Sequence, residues 1–142
     1  MNAVIEMHDS ECIAVDVDEN DGGFVLLDAY VHRSEGGPLI SPHEGGVQLV
    51  RMKVEGMTIE GALGDLPAVI YEGSLTVGVE AQGNIVPFPA VYTEPVRISM
   101  MLSDDARVVV VSGSGLSIAP EGDFRFVETV DFSSRNTWMF PA

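Results

Sequence analysis

Positive charge is scarce in this chain: 142 residues carry seven Lys and Arg against 22 Asp and Glu, a formal net charge of −15. Lys53 is the only lysine, and residues 1–23 place Glu6, Asp9, Glu11, Asp16, Asp18, Glu19 and Asp21 together with no cation among them. A field of that sign repels phosphate backbones and anionic lipid, so no nucleic-acid partner and no membrane partner is expected. It would draw in a basic protein partner and speed its capture at low salt; the plainer reading is that the charge only maintains solubility. Cysteine is nearly absent as well. Cys12 has no second cysteine to pair with, which suits a reducing compartment. No stretch approaches the ~20 apolar residues of a membrane helix. The opening Met1 to Asp9 lacks the basic start and apolar centre of a secretory signal, so the expected location is cytoplasmic.

Helical periodicity is missing too. No window of a dozen residues keeps apolar positions at i, i+3, i+4 and i+7 without a Gly or Pro interrupting it. The 15 Gly and eight Pro instead cut the chain into strand-length runs rich in Val, Ile and Phe. The pattern predicts strands over Val4–His8, Cys12–Asp18, Phe24–Arg33, Val47–Glu55, Met57–Ala62, Ala68–Tyr71, Ser74–Val79, Val96–Leu102, Val108–Ser112, Leu116–Ala119 and Phe124–Val130. Val96, Ile98 and Met100 share one face by the two-residue period, and Arg51 and Lys53 fall on a wet face. The unbroken run Val108–Val111 reads as a central strand covered on both sides. Turn signals at Asn20-Asp21-Gly22-Gly23, Glu72-Gly73-Ser74, Ser103-Asp104-Asp105 and Pro120-Glu121-Gly122-Asp123 favour hairpins.

Short connections favour antiparallel pairing, because a parallel crossover needs about a dozen residues or more. The expected fold is therefore all-β: an antiparallel β-sandwich, with a partly closed β-barrel as the alternative. At this length one domain spanning 1–142 is large enough to bury a core without staples. Ser34 to Gly46 reads as a long loop, and such loops often carry binding residues. Residues 134–142 hold the only tryptophan. Burying Trp138, Met139 and Phe140 would contribute ~2 kcal/mol each, so this tail is expected to pack back on the sheet or onto a second copy, leaving monomer and homodimer both open.

The candidate site begins on the third predicted strand. Asp28, Tyr30 and His32 share one face there, with Phe24 and Leu26 on the same face, which thus turns from apolar to polar along the strand. His8 and Asp9 end the first strand, and His43 lies in the long loop. If the first and third strands are neighbours, His8, Asp28, His32 and His43 could converge. Two or three imidazoles with a carboxylate can ligate a divalent metal, with His8, His32 and His43 as candidate ligands. Their spacing matches no compact metal motif. The plainer reading is a set of rim residues that hydrogen-bond Asp9, Asp28 or backbone.

Other chemistries fail on spacing. A cupin-type metal barrel would need a second histidine two places after His43, where Gly45 stands. A calcium loop starting at Asp16 would need Gly at Asp21 and Glu at Leu27. Cys12 reads as a small core residue and not a nucleophile. Ser112-Gly113-Ser114-Gly115 precedes no helix, so it is neither a phosphate-cradling loop nor a nucleophile elbow. Pro87-Phe88-Pro89 reads as an extended edge and not as a proline-rich ligand.

The opening His8-Asp9-Ser10, followed by an acidic hairpin and an apolar strand, resembles small uncharacterised bacterial all-β proteins. Some families with a His-Asp-Ser or His-Asp-Ala opening are similar to polymorphic-toxin immunity proteins. The resemblance covers about the first quarter of the chain and implies a cytoplasmic, acidic, non-catalytic protein that binds a partner. The expected function is accordingly a non-enzymatic protein-interaction module, with a basic protein partner as its sharpest form and no cofactor. The alternative is a metal- or small-ligand-binding β-sandwich, possibly an enzyme, using His8, Asp9, Asp28, Tyr30, His32 and His43.

Overall fold

A computed structural model of the chain describes residues 2–18, 22–35, 42–103 and 107–130. Twelve strands are found among them: β1 (Asn2–Asp18), β2 (Gly22–Ser34), β3 (His43–Glu55), β4 (Thr58–Glu60), β5 (Ala68–Val77), β6 (Glu80–Gly83), β7 (Ile85–Pro87), β8 (Ala90–Tyr92), β9 (Val96–Leu102), β10 (Arg107–Gly113), β11 (Gly115–Pro120) and β12 (Arg125–Val130). They form one antiparallel sheet in the order β4-β10-β9-β5-β1-β2-β3-β11-β8, with β12 on β3, β6 on β5 and β7 on β1. The sheet curls into a half-barrel, so the all-β expectation holds in its partly closed form.

Alternation builds the core. Val25, Leu27, Ala29 and Val31 of β2 are fully buried, as are Val50, Met52 and Val54 of β3. Ile98, Met100 and Leu102 of β9 and Val109 and Val111 of β10 join them in one cluster. Each such valine- or leucine-sized side chain contributes about 1.5–3 kcal/mol by leaving water. A one-residue slip in any of these strands would turn its core set outward, which fixes the register. The β1–β2 hairpin closes with Asp18 opposite Gly22. Gly22 has φ of +105°, and a Cβ there would lie 2.1 Å from the Val54 carbonyl oxygen. Only glycine supplies both the backbone angle and the clearance.

Several expectations are corrected. Val4–His8 and Cys12–Asp18 are one strand, bent by a bulge between Glu6 and Glu11. Ala68–Tyr71 and Ser74–Val79 are likewise one strand, β5, with an irregularity between Ile70 and Glu72. The predicted Met57–Ala62 strand shortens to β4, and β6, β7 and β8 were not anticipated, being too short to show a period. His43 is not in a loop: it opens β3, where it lies opposite Val130 of β12. The β10 run is covered on one side only, since Val109 and Val111 are fully buried while Val108 is exposed. β10 keeps neighbours on both edges, β4 and β9, so its valines reflect core contact on one face alone. The 134–142 tail lies outside the described residues, as does the middle of the 34–46 segment.

Candidate functional site

The bulge in β1 organises both polar regions of the molecule. Asp9 takes φ of +78°, a left-handed conformation that Asp tolerates better than most residues. Two clamps hold it. On one side the His8 amide donates to Asn84 Oδ1 at 2.6 Å, and the Met7 amide donates to the Asn84 carbonyl. On the other, Ser10 Oγ donates to the Glu6 carbonyl at 2.7 Å and accepts from the Tyr30 amide at 2.9 Å. A bulge re-aims side chains. Here His8 turns toward one surface, and Asp9 stays beside Glu6.

The first region is a buried polar cluster at one end of β1, β2, β3 and β12. Glu6 stands opposite Tyr30, and Val4 opposite His32. His32 is 3% exposed, His43 4% and Glu6 6%. His32 Nε2 lies 2.8 Å from Glu6 Oε1, and His32 Nδ1 lies 2.8 Å from His43 Nε2. Tyr30 Oη donates to Glu128 Oε2 at 2.6 Å. The Tyr30 and His32 rings meet edge to face at 5.1 Å, and the His32 and His43 rings do the same at 4.9 Å. Gly45, which faces His32 across the β2–β3 ladder, makes the room: a Cβ there would sit 2.4 Å from Tyr30 Oη. Buried polar groups cost free energy unless they are paired, and these pair with one another.

Electrostatics follow from that packing. Burial raises the Asp9 carboxyl above its ordinary value, opposed by the neighbouring His8 and assisted by a hydrogen bond with Glu6. Burial raises the Tyr30 phenol as well, helped by its bond to Glu128 and by the charges of Glu128, Glu6 and Asp9. Cys12 is fully buried, and that pushes its thiol up to about 11. It has the inert character expected of a core cysteine.

Of the six candidate residues, Tyr30, His32 and His43 gather in this cluster, and Asp9 borders it from the exposed side, hydrogen-bonded to Glu6. Asp28 does not, because its carboxylate accepts from the Arg125 guanidinium on β12. His8 is also engaged elsewhere. Its Nδ1 lies 2.6 Å from the Tyr71 carbonyl oxygen, and its Nε2 lies 3.5 Å from Asp9 Oδ1 on an exposed surface. Both nitrogens of His32 are occupied by protein partners, and no group of three ligand side chains suited to a metal ion occurs among the described residues. Glu6 and Glu128 were missed by sequence reasoning. Glu6 carried a usable signal: it lies two residues from His8 on a strand expected to neighbour the Tyr30 strand.

The second region is an open groove of about 510 Å³ on the outer face of β5, β9 and β10. His8, Tyr71, Glu72, Asn84, Met101 and Val108 line it. The β9 and β10 members are the outward set of the same alternation that buries Ile98, Met100 and Val109. Tyr71 is 44% exposed and Val108 49%, with Val69 beside them at 46%. Exposed apolar side chains standing singly are ordinary, but several lining one concavity mark a contact surface. Comparison with family models, with curated proteins and with solved structures finds no match for this chain.

Proposed function

We propose that this protein is a non-enzymatic interaction module whose recognition surface is the β5–β9–β10 groove, and that its partner is a basic protein. The groove carries the reading. It combines exposed apolar area from Tyr71, Met101 and Val108 with the acid Glu72 at its wall, on a chain of net charge −15. An apolar anchor with an acid at its wall, on a strongly acidic chain, is the complement of a segment that offers an aliphatic or aromatic side chain flanked by Lys or Arg. Long-range attraction would raise the encounter rate, and the apolar contact would set the lifetime. The buried cluster supports the same division of labour, since Glu6, His32 and His43 are bonded to each other and buried, with Tyr30 and Glu128 bonded beside them.

The metal-binding alternative has less behind it. His8 faces the groove while His32 and His43 are buried in the cluster, so the three candidate ligands do not share one opening. Photo-crosslinking in cells that make the protein natively tests the proposal. A photoreactive amino acid at position 71 should trap one basic protein that a probe at Val91, exposed on β8, does not trap. The complex should weaken as salt rises past about 0.15 M, where the Debye length is about 8 Å. An acidic partner, or equal trapping at positions 71 and 91, would overturn it.

A further inference from the structure

We infer that the His32–His43 contact is an acid-sensitive latch holding β12 and the start of β3 against β2. Two imidazole nitrogens 2.8 Å apart require one hydrogen between them and one lone pair to receive it. His43 Nε2–H can donate to a bare His32 Nδ1, or His32 Nδ1–H can donate to a bare His43 Nε2. In the first case a neutral His32 still donates Nε2–H to Glu6 at 2.8 Å, and in the second it does so only as the imidazolium. The closed pair therefore carries two or three ring protons. It cannot carry four. A fourth would set two N–H groups head-on across 2.8 Å and place two cations in rings 4.9 Å apart, with neither ring more than 4% exposed.

The surroundings fix what the third proton does. Glu6 and Asp9 face the pair from β1 and Tyr30 from β2, with Glu128 of β12 bonded to Tyr30, while Glu44 of β3 is engaged by Arg33. These acids favour a single imidazolium between Glu6 and His43. They cannot relieve the head-on contact that a second imidazolium creates. Separating the rings is the remaining outlet, and His43 is the residue that starts β3 opposite Val130. β12 is held to β3 by its ladder and to β2 by Arg125–Asp28 and Glu128–Tyr30, and its last rungs, Thr129 and Val130, are the ones that adjoin the latch.

Opening lets the pair bind one more proton than the closed state holds. Linkage then makes the opening constant rise about tenfold for each unit of pH lost. The window to follow runs from neutral pH down to about pH 4. The test is NMR on protein labelled with ¹⁵N at histidine and at the backbone. At neutral pH a through-bond coupling should link His32 Nδ1 and His43 Nε2. On acidification it should vanish together with the protection of the Thr129 and Val130 amides, at about tenfold per pH unit. In His43→Gln, whose amide can donate or accept but takes up no proton, that protection should stay flat across the same window. Equal slopes in the two proteins would overturn the inference. So would two doubly protonated rings beside a still-protected β12. Should the variant fail to fold, the wild-type coupling and ring protonation states decide the matter alone.

Discussion

The cluster and the groove are built on opposite sides of one bulge, from similar residue types, and they differ in whether their polar groups are spoken for. In the cluster, Glu6, His32 and His43 form a buried chain of bonds, and the half-buried Tyr30 and Glu128 bond beside it. In the groove, Tyr71 and Val108 stay open to water beside Glu72. A histidine belongs to each region, so residue type does not distinguish them. Satisfied burial marks structure, and open apolar area marks recognition.

Breaking the cluster should have the largest effect. Replacing Glu6 with Ala leaves His32 Nε2 buried without its acceptor, and an unsatisfied buried group costs about 1–3 kcal/mol. Denaturant titration should show that loss, with the midpoint lowered and crosslinking at the groove retained. Gly45→Ala should cost less, about 1–2 kcal/mol, because the added methyl displaces Tyr30 from Glu128. Combining it with Tyr30→Phe should recover part of the loss. The hydroxyl meets the new methyl at 2.4 Å, whereas the ring carbon behind it lies at 3.1 Å. A double-mutant cycle reads that coupling directly.

The smallest effect is expected at the bulge itself. Asp9 has its carboxyl raised above 3.8 by burial and by Glu6, so the fold favours its protonated form. Its contribution is therefore most favourable in acid and is lost as pH rises through the folded value. Asp9→Asn keeps a residue tolerant of positive φ and removes the charge. It should be slightly more stable than wild type at pH 7, with the gap closing as pH falls toward the carboxylate range. Thermal melts across pH measure this, and a gap that widens in acid would contradict the assignment.

The period-two alternation made much of this legible beforehand. The set Asp28, Tyr30 and His32 on one face, the core set Leu27, Ala29 and Val31 on the other, and the inward face of β9 all follow from it. The conditional convergence of His8, Asp28, His32 and His43 rests on a loop position for His43, which instead stands in a strand beside His32. The bulge was not legible, because one positive φ at Asp9 leaves no pattern in apolar spacing. That single bend sends His8 to the groove and leaves Asp9 with Glu6, which undoes the expected convergence of His8 with His32 and His43. Glu128 was hidden for another reason: its pairing with Tyr30 spans 98 residues, and only the placement of β12 on β3 brings the two together. The groove was illegible because strands from three separate stretches build it.

The account turns on which of the two regions meets the partner. Adding the protein trapped at position 71 to isotope-labelled chain and following the backbone amides measures that. The account predicts shifts at Asn84, Ser99, Met101 and Val108, with Tyr30, His32 and His43 unmoved. Shifts centred on Tyr30, His32 and His43, with the β5–β9–β10 face silent, would contradict it.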